Sequence, residues 1–185
     1  MADDVQLLRD YARRGDVASL SALVTRHGVW LTAFLRGFLS GRSDVDDAFQ
    51  DVWMRVIRSA DGYRGGNVKA YLARIARGVA VDRLRRAGRI VSLDAGDETG
   101  ASPAEDIPSS DPGPRAHVEL RASAEEVRAA VRELPEGPRQ VLLLRIEAEM
   151  QFQDIAAELG VPLGTALTWM RAATEFLKRK LGDRT

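Results

Sequence analysis

From Val5 to Arg86 apolar residues return every three or four positions with few breaks, a period that only helices satisfy. Four stretches carry it: "VQLLRDYARRG", "LSALVTRHGVWLTAFLRGFL", "VDDAFQDVWMRVIR" and "VKAYLARIARGVAVDRLRR". They are separated at Gly15-Asp16, at Ser40 to Ser43 and at Asp61 to Asn67, by residues that stop or cap helices. Four helices with short connections predict one bundle. The period then vanishes in "GRIVSLDAGDETGASPAEDIPSSDPGPRA", where Gly, Pro, Ser, Asp and Glu dominate. Such a segment buries too little apolar surface to offset the entropy of ordering it, so a flexible acidic linker is expected over 88–118. Helical spacing resumes in "HVELRASAEEVRAAVREL", "PRQVLLLRIEAE", "QFQDIAAELG" and "GTALTWMRAATEFLKRKLG". The expectation is an all-α chain of two small helical domains, 1–87 and 119–185, joined by that linker and without internal repeats.

Composition removes several classes of chemistry. The 185 residues include no cysteine, which excludes disulfide scaffolds, thiolate metal sites and thiol catalysis, and which suits a reducing cytoplasm. The start, "MADDVQLLRD", lacks the basic flank and apolar stretch of a secretion signal, and "GVWLTAFLRGFL" is interrupted by Arg36 and too short to span a bilayer. Membrane insertion is therefore not expected, and a cytoplasmic location is. No G-x-x-x-x-G-K, G-x-S-x-G or H-E-x-x-H occurs, and His27 and His117 are isolated. Neither an enzyme, a cofactor nor a metal is expected.

A net charge of zero conceals an uneven distribution. Residues 1–87 hold 15 Lys and Arg against 10 Asp and Glu, whereas 88–118 hold 2 against 6. Lys69 to Arg89 is the most basic stretch, with seven bases and one acid, Asp82. At about 100° per residue, Leu72, Ile75, Ala76, Val79 and Ala80 form an apolar arc, and Arg74, Arg77 and Arg85 group opposite it. Arg83 falls angularly among the apolar residues, to snorkel outward or to lie where the helix meets its partner. An Arg stripe on a rigid helix neutralises phosphates with little regard to sequence; the plain alternative is a solvated face. Tyr63, in the loop "DGYRGG", and Tyr71 are the nearby aromatics able to stack on an unpaired base, or else they belong to the core.

Two further patterns matter. Asp44, Asp47 and Asp51 recur at helical spacing with Asp46 and Gln50 beside them, a face suited to a basic partner helix, with Trp53 as its apolar anchor, or else simply solvated. In "QFQDIAAELGVPLGTALTWMRAA" an amphipathic helix with Ile155, Ala156 and Leu159 meets Gly160, a short turn and a second helix with Ala166 and Met170. Those are the packing requirements of a helix-turn-helix, although an ordinary helical hairpin shares them.

Taken in order, these segments resemble the extracytoplasmic-function group of sigma factors, the promoter-specificity subunits of bacterial RNA polymerase. "SDVDDAFQDVWMRVIR" is similar to the family segment that grips the clamp helices of the polymerase largest subunit. "VKAYLARIARGVAVDRLRR" is similar to its helix for reading and melting the minus-ten region, and "LPEGPRQVLLLRIEAEMQFQDIAAELGVPLGT" to its domain that docks on the flap and reads the minus-thirty-five element. The resemblance implies core-polymerase contacts at Asp46, Asp47, Gln50, Asp51, Trp53, Arg139 and Leu142. It implies minus-ten contacts at Tyr63, Arg64, Asn67, Lys69, Arg74, Arg77, Arg83, Arg85 and Arg86.

The chain also departs from that pattern. Where the family presents Lys and Arg after its Gly-Thr, this chain has "GTALTWMRAATEF", with Arg171 and Glu175 the only charges from Leu163 to Leu177. Thr165, Leu167, Thr168, Trp169 and Arg171 are then the candidates for contact with DNA or with a protein. Phosphate contacts normally set register before bases are read, so weakened minus-thirty-five readout is expected. Leu167 and Trp169 would form an exposed patch for a partner, either an inhibitory anti-sigma protein or a DNA-bound protein that recruits polymerase. Buried Leu167 and Trp169 with a weak DNA contact would be the alternative. Gly78 stands where the family often has Asn. A sigma-like adaptor that reads no promoter, or a helix-turn-helix regulator acting without polymerase, would be the rival functions; the neutral second helix disfavours the latter and the Arg stripe the former.

Overall fold

The computed structural model describes residues 3–88 and 114–182, and among them every regular element is helical. The order is α1 (Asp4–Arg14), α2 (Val17–Arg36), α3 (Arg42–Ser59), α4 (Val68–Arg86), α5 (Pro114–Glu133), α6 (Glu136–Ile146), α7 (Phe152–Leu159) and α8 (Leu163–Leu181). Most of the segment expected as a linker lies outside the described residues, although α5 begins inside it, at Pro114. Proline is favoured at a first helical position, where its missing N–H costs nothing. The chain divides into two compact units: 1–92 with 143–150, and 93–142 with 151–185.

Local chemistry explains the boundaries in the first unit. Gly15 takes a left-handed conformation (φ 65°) and its N–H returns to the Tyr11 carbonyl, closing α1. The neighbouring Asp16 accepts from the Ala18 N–H and opens α2. Asn67 does the same for α4, accepting from the Ala70 N–H at 3.2 Å. Helix α2 ends at Arg36, as its charge suggests. Leu8 of α1, Leu23, Leu31, Phe34 and Leu35 of α2, Val52 and Val56 of α3, and Leu72 and Val79 of α4 are each no more than 1% exposed. At about 1.5–3 kcal/mol for each fully buried large side chain, this core holds the four helices together. The apolar arc expected on α4 is nearly right: Ile75 is half-buried, while Ala73, Val81 and Leu84 join the buried set.

In the second unit, Gly160 (φ 69°) ends α7, its N–H bonding the Ala156 and Ala157 carbonyls, and Val161 N–H bonds back to Ala156. Pro162 then precedes α8. Ile155 and Ala156 of α7 and Ala166 of α8 are buried, the small and branched residues that a close two-helix packing requires.

Candidate nucleic-acid interface

On helix α4, Arg74, Arg85 and Arg86 are exposed, whereas Arg77, expected on the same stripe as Arg74 and Arg85, is half-buried. Arg83 resolves differently. It donates to Asp51 of α3 at 2.5 Å, and one turn away Arg55 of α3 donates to Asp82 of α4 at 2.9 Å. The two ion pairs cross-link α3 and α4 with reversed polarity. One residue expected to grip polymerase and one expected to grip DNA are therefore partners of each other. Both pairs are partly solvated, so each contributes about 1 kcal/mol or less.

The loop leading into α4 is built around Tyr63. A single 3-10 turn, Ala60–Gly62, follows α3, and Gly65 and Gly66 take φ values of 105° and 101° that side-chain-bearing residues avoid. The Tyr63 hydroxyl donates to the Gly66 carbonyl at 2.6 Å, and its ring stands 5.1 Å from that of Tyr71, tilted by 57°. The Tyr71 hydroxyl and the Ser59 hydroxyl share a hydrogen bond of 2.7 Å. Both aromatics are half-buried, and burial raises the Tyr63 phenol above its ordinary value. Arg64, beside Tyr63, is exposed. Asn67 spends its side-chain oxygen on the helix cap. Lys69 pairs with Glu149 at 2.6 Å inside the same unit and stands 5.5 Å over the Trp30 ring; the Lys69 hydrogen bond holds the Glu149 carboxyl below its ordinary value.

On α3, Asp46, Asp47, Gln50 and Asp51 are all exposed, and Asp46 lies 3.9 Å from Arg42. Trp53 does not join them. It is 6% exposed, edge-on to Phe49 at 6.2 Å, and belongs to the core. The exposed apolar side chain next to this acidic face is Met54, at 47%. Sequence favoured the larger aromatic, yet the step of 100° per residue separates adjacent positions enough for one to be core and the next surface.

The second unit places its candidates mostly at partial or full burial. Arg139 is half-buried and donates through Nε and Nη2 to the Leu134 carbonyl, at 3.2 and 2.7 Å, tying α6 to the end of α5; burial lowers its pKa. Leu142 is buried. Trp169 and Leu167 are half-buried rather than an open patch, because the Trp169 ring lies across Gly137: a Cβ on that glycine would stand 2.8 Å from three ring atoms. Thr165 and Thr168 are half-buried as well, and the exposed Arg171 pairs with Glu175 at 3.3 Å. No group of three or more metal-ligating side chains occurs among the described residues, nor any helix long and apolar enough to cross a membrane.

Comparison with known proteins gives this geometry a context. The family model described as Sigma-70 region 2 matches residues 23–90, and that described as Sigma-70, region 4 matches 124–177. The chain is 33% identical to the ECF RNA polymerase sigma factor EcfG of Rhodopseudomonas palustris, over 80% of this chain and 78% of that protein. It is 29% identical to the ECF RNA polymerase sigma factor SigE of Mycolicibacterium smegmatis, covering 89% of this chain but only 63% of that longer protein. With the ECF RNA polymerase sigma-E factor of Escherichia coli it shares 26% identity over 95% of this chain and 93% of the relative. Among solved structures, that of CnrH in complex with the cytosolic domain of CnrY superposes with a TM-score of 0.65 at 25% identity, covering 99% of this chain and 100% of the other.

Proposed function

Because the chain belongs to the extracytoplasmic-function group of sigma-70-type sigma factors, we propose that it binds bacterial core RNA polymerase and directs promoter-specific initiation. Binding falls to the exposed acids Asp46 and Asp47 and the amide of Gln50 on α3, with Met54 as the apolar contact. The α4 arginines and the Tyr63–Arg64 loop engage the minus-ten region and help to hold its strands apart. The factor supplies binding and strand separation, the polymerase the chemistry, and both act in the cytoplasm. The observation that carries this reading is that α4, which follows the glycine-built Tyr63 loop, exposes Arg74, Arg85 and Arg86.

Readout of a minus-thirty-five element by α8 is weak. Its one exposed guanidinium near the helix start, Arg171, is shared with Glu175, and its largest aromatic is turned onto Gly137. An anti-sigma protein is a fitting partner, since a solved structure on which the chain superposes is that of CnrH in complex with the cytosolic domain of CnrY. A DNA-bound recruiting protein is the other partner class consistent with a neutral α8.

Runoff transcription on a pool of random promoter fragments, with core polymerase and with start sites sequenced, tests this. Starts that depend on the protein and share a minus-ten motif are expected. Polymerase binding without any stimulation of initiation would favour the adaptor reading instead.

A further inference from the structure

The segment 143–150, the end of α6 and the turn after it, belongs to the first compact unit, whereas the residues that flank it in sequence do not. Three contacts hold it there. A Cβ on Gly37, just past α2, would stand 2.6 and 2.9 Å from the two Leu143 methyl carbons, so Leu143 rests on a position that only glycine leaves open. The Trp30 indole N–H donates to the Glu147 carbonyl at 2.6 Å. Lys69 Nζ donates to the Glu149 carboxylate at 2.6 Å and lies 5.5 Å over the Trp30 ring.

The turn is shaped by its own hydrogen bonds: Met150 N–H returns to the Leu144 carbonyl, and Arg145 Nη1 donates to the Met150 carbonyl. Within it Glu149 takes a φ of 56°, the left-handed region that glycine suits, and among the described residues no other side-chain-bearing residue does so. Such a residue persists where its surroundings over-determine it, and the feature here that glycine could not supply is the carboxylate on Lys69. Lys69 stands in the first turn of α4, among the cations expected to meet promoter phosphate. A carboxylate oxygen satisfies its ammonium through the same charge-assisted hydrogen bond that a phosphate oxygen would make.

We propose that 143–150 is an internal clasp, in which Glu149 stands in for a DNA phosphate on Lys69 while Trp30 fastens the turn, so that the free chain withholds this cation until polymerase and promoter displace the turn. The proposal rests on the minus-ten reading of α4. A largely solvated ion pair is weak, so the clasp shifts a population, and apparent affinity falls by the fraction of chains in which it is open.

The chain has no cysteine, so an introduced pair is unique and tests the clasp in the full chain. Gly37→Cys/Leu143→Cys, mildly oxidised, should form an intrachain disulfide. In runoff transcription with core polymerase on random promoter fragments, the oxidised form should lose more than about tenfold of its starts and regain them with dithiothreitol. Glu149→Gln should raise starts about two- to fivefold at limiting factor and leave them unchanged at saturation, because it acts on the free chain. Failure to cross-link, or a cross-linked chain as active as the reduced one, would overturn the clasp. Equal activity of Glu149→Gln and the parent at limiting factor would overturn the role of Glu149. Lys69→Gln should lower starts at saturating factor; no change there, with cross-linking intact, would overturn the competition with DNA and Lys69's place in the minus-ten reading while the clasp itself stood. Should the cysteine pair lack parental helicity, Lys69→Cys/Glu149→Cys joined by a short bis-maleimide reads the same proximity and the same loss of starts.

Discussion

Trp169 shows how a single contact redirects a functional reading. In sequence it stands in a helix expected to face DNA, and its size there argues for an exposed protein-binding patch. The structure turns it onto Gly137, where no side chain competes for the space. The consequence is testable: in Gly137→Ala the new methyl would sit 2.8 Å from three atoms of the indole ring, and neither the α6 backbone nor the ring core can yield cheaply. Alanine's better helix propensity recovers up to about 1 kcal/mol, but overpacking costs about 1–3 kcal/mol. Urea unfolding should show a net loss of about 1 kcal/mol or more with an altered indole emission; an unchanged midpoint would mean that Trp169 is free to move. Trp53 teaches the same lesson in reverse, since its burial against Phe49 depends on the course of neighbouring helices, which a period count on α3 alone does not contain. The Asp51–Arg83 pair was equally hidden: each residue was legible as a charge at the right helical angle, and only the approach of α3 to α4 made them partners.

At the scale of elements, the signals that worked were covalent and local. Gly15, Asp16, Asn67 and Gly160 stop or start helices through backbone freedom or a side-chain oxygen, and all four act where the sequence puts them. The features that the sequence did not disclose were those requiring a partner element, such as the hydrogen bonds of Arg139 to the Leu134 carbonyl. The attachment of α1 to α2 adds a pH-dependent term of this second kind. Asp4 accepts from Arg26 at 2.8 Å and from the buried His27 at 2.9 Å. Partial burial opposes ionisation of Asp4, but those hydrogen bonds outweigh it and hold the carboxyl below its ordinary 3.8. A carboxyl depressed in the folded state stabilises fully above the unfolded value and loses that contribution as pH falls through the folded one. The parent should therefore lose helicity below about pH 4 more steeply than Asp4→Asn, which is less stable at neutral pH but lacks this proton uptake. Parallel acid titrations of ellipticity that have the same slope would show that the Asp4 cluster does not contribute.

For the whole molecule, the arrangement of charge implies a division of labour between the two units. The first offers exposed arginines on α4 and around the Tyr63 loop, and the second offers on the front of α8 one arginine already shared with glutamate. Phosphate contacts fix register before bases discriminate, so an interface with one compromised guanidinium contributes little, whereas a row of exposed ones contributes much. Two variants separate these contributions in promoter-dependent runoff transcription with core polymerase. Thr165→Ala/Arg171→Ala should reduce initiation by less than about tenfold, the value of one base or phosphate contact at about 1–3 kcal/mol reduced by its competing ion pair. Arg85→Ala/Arg86→Ala should reduce it by more than about tenfold and weaken its salt dependence, because both side chains are exposed on α4. The reverse order of sensitivity would place promoter recognition chiefly in α8, and the neutral charge of that helix would then have to be compensated by base contacts through Thr165 and Thr168.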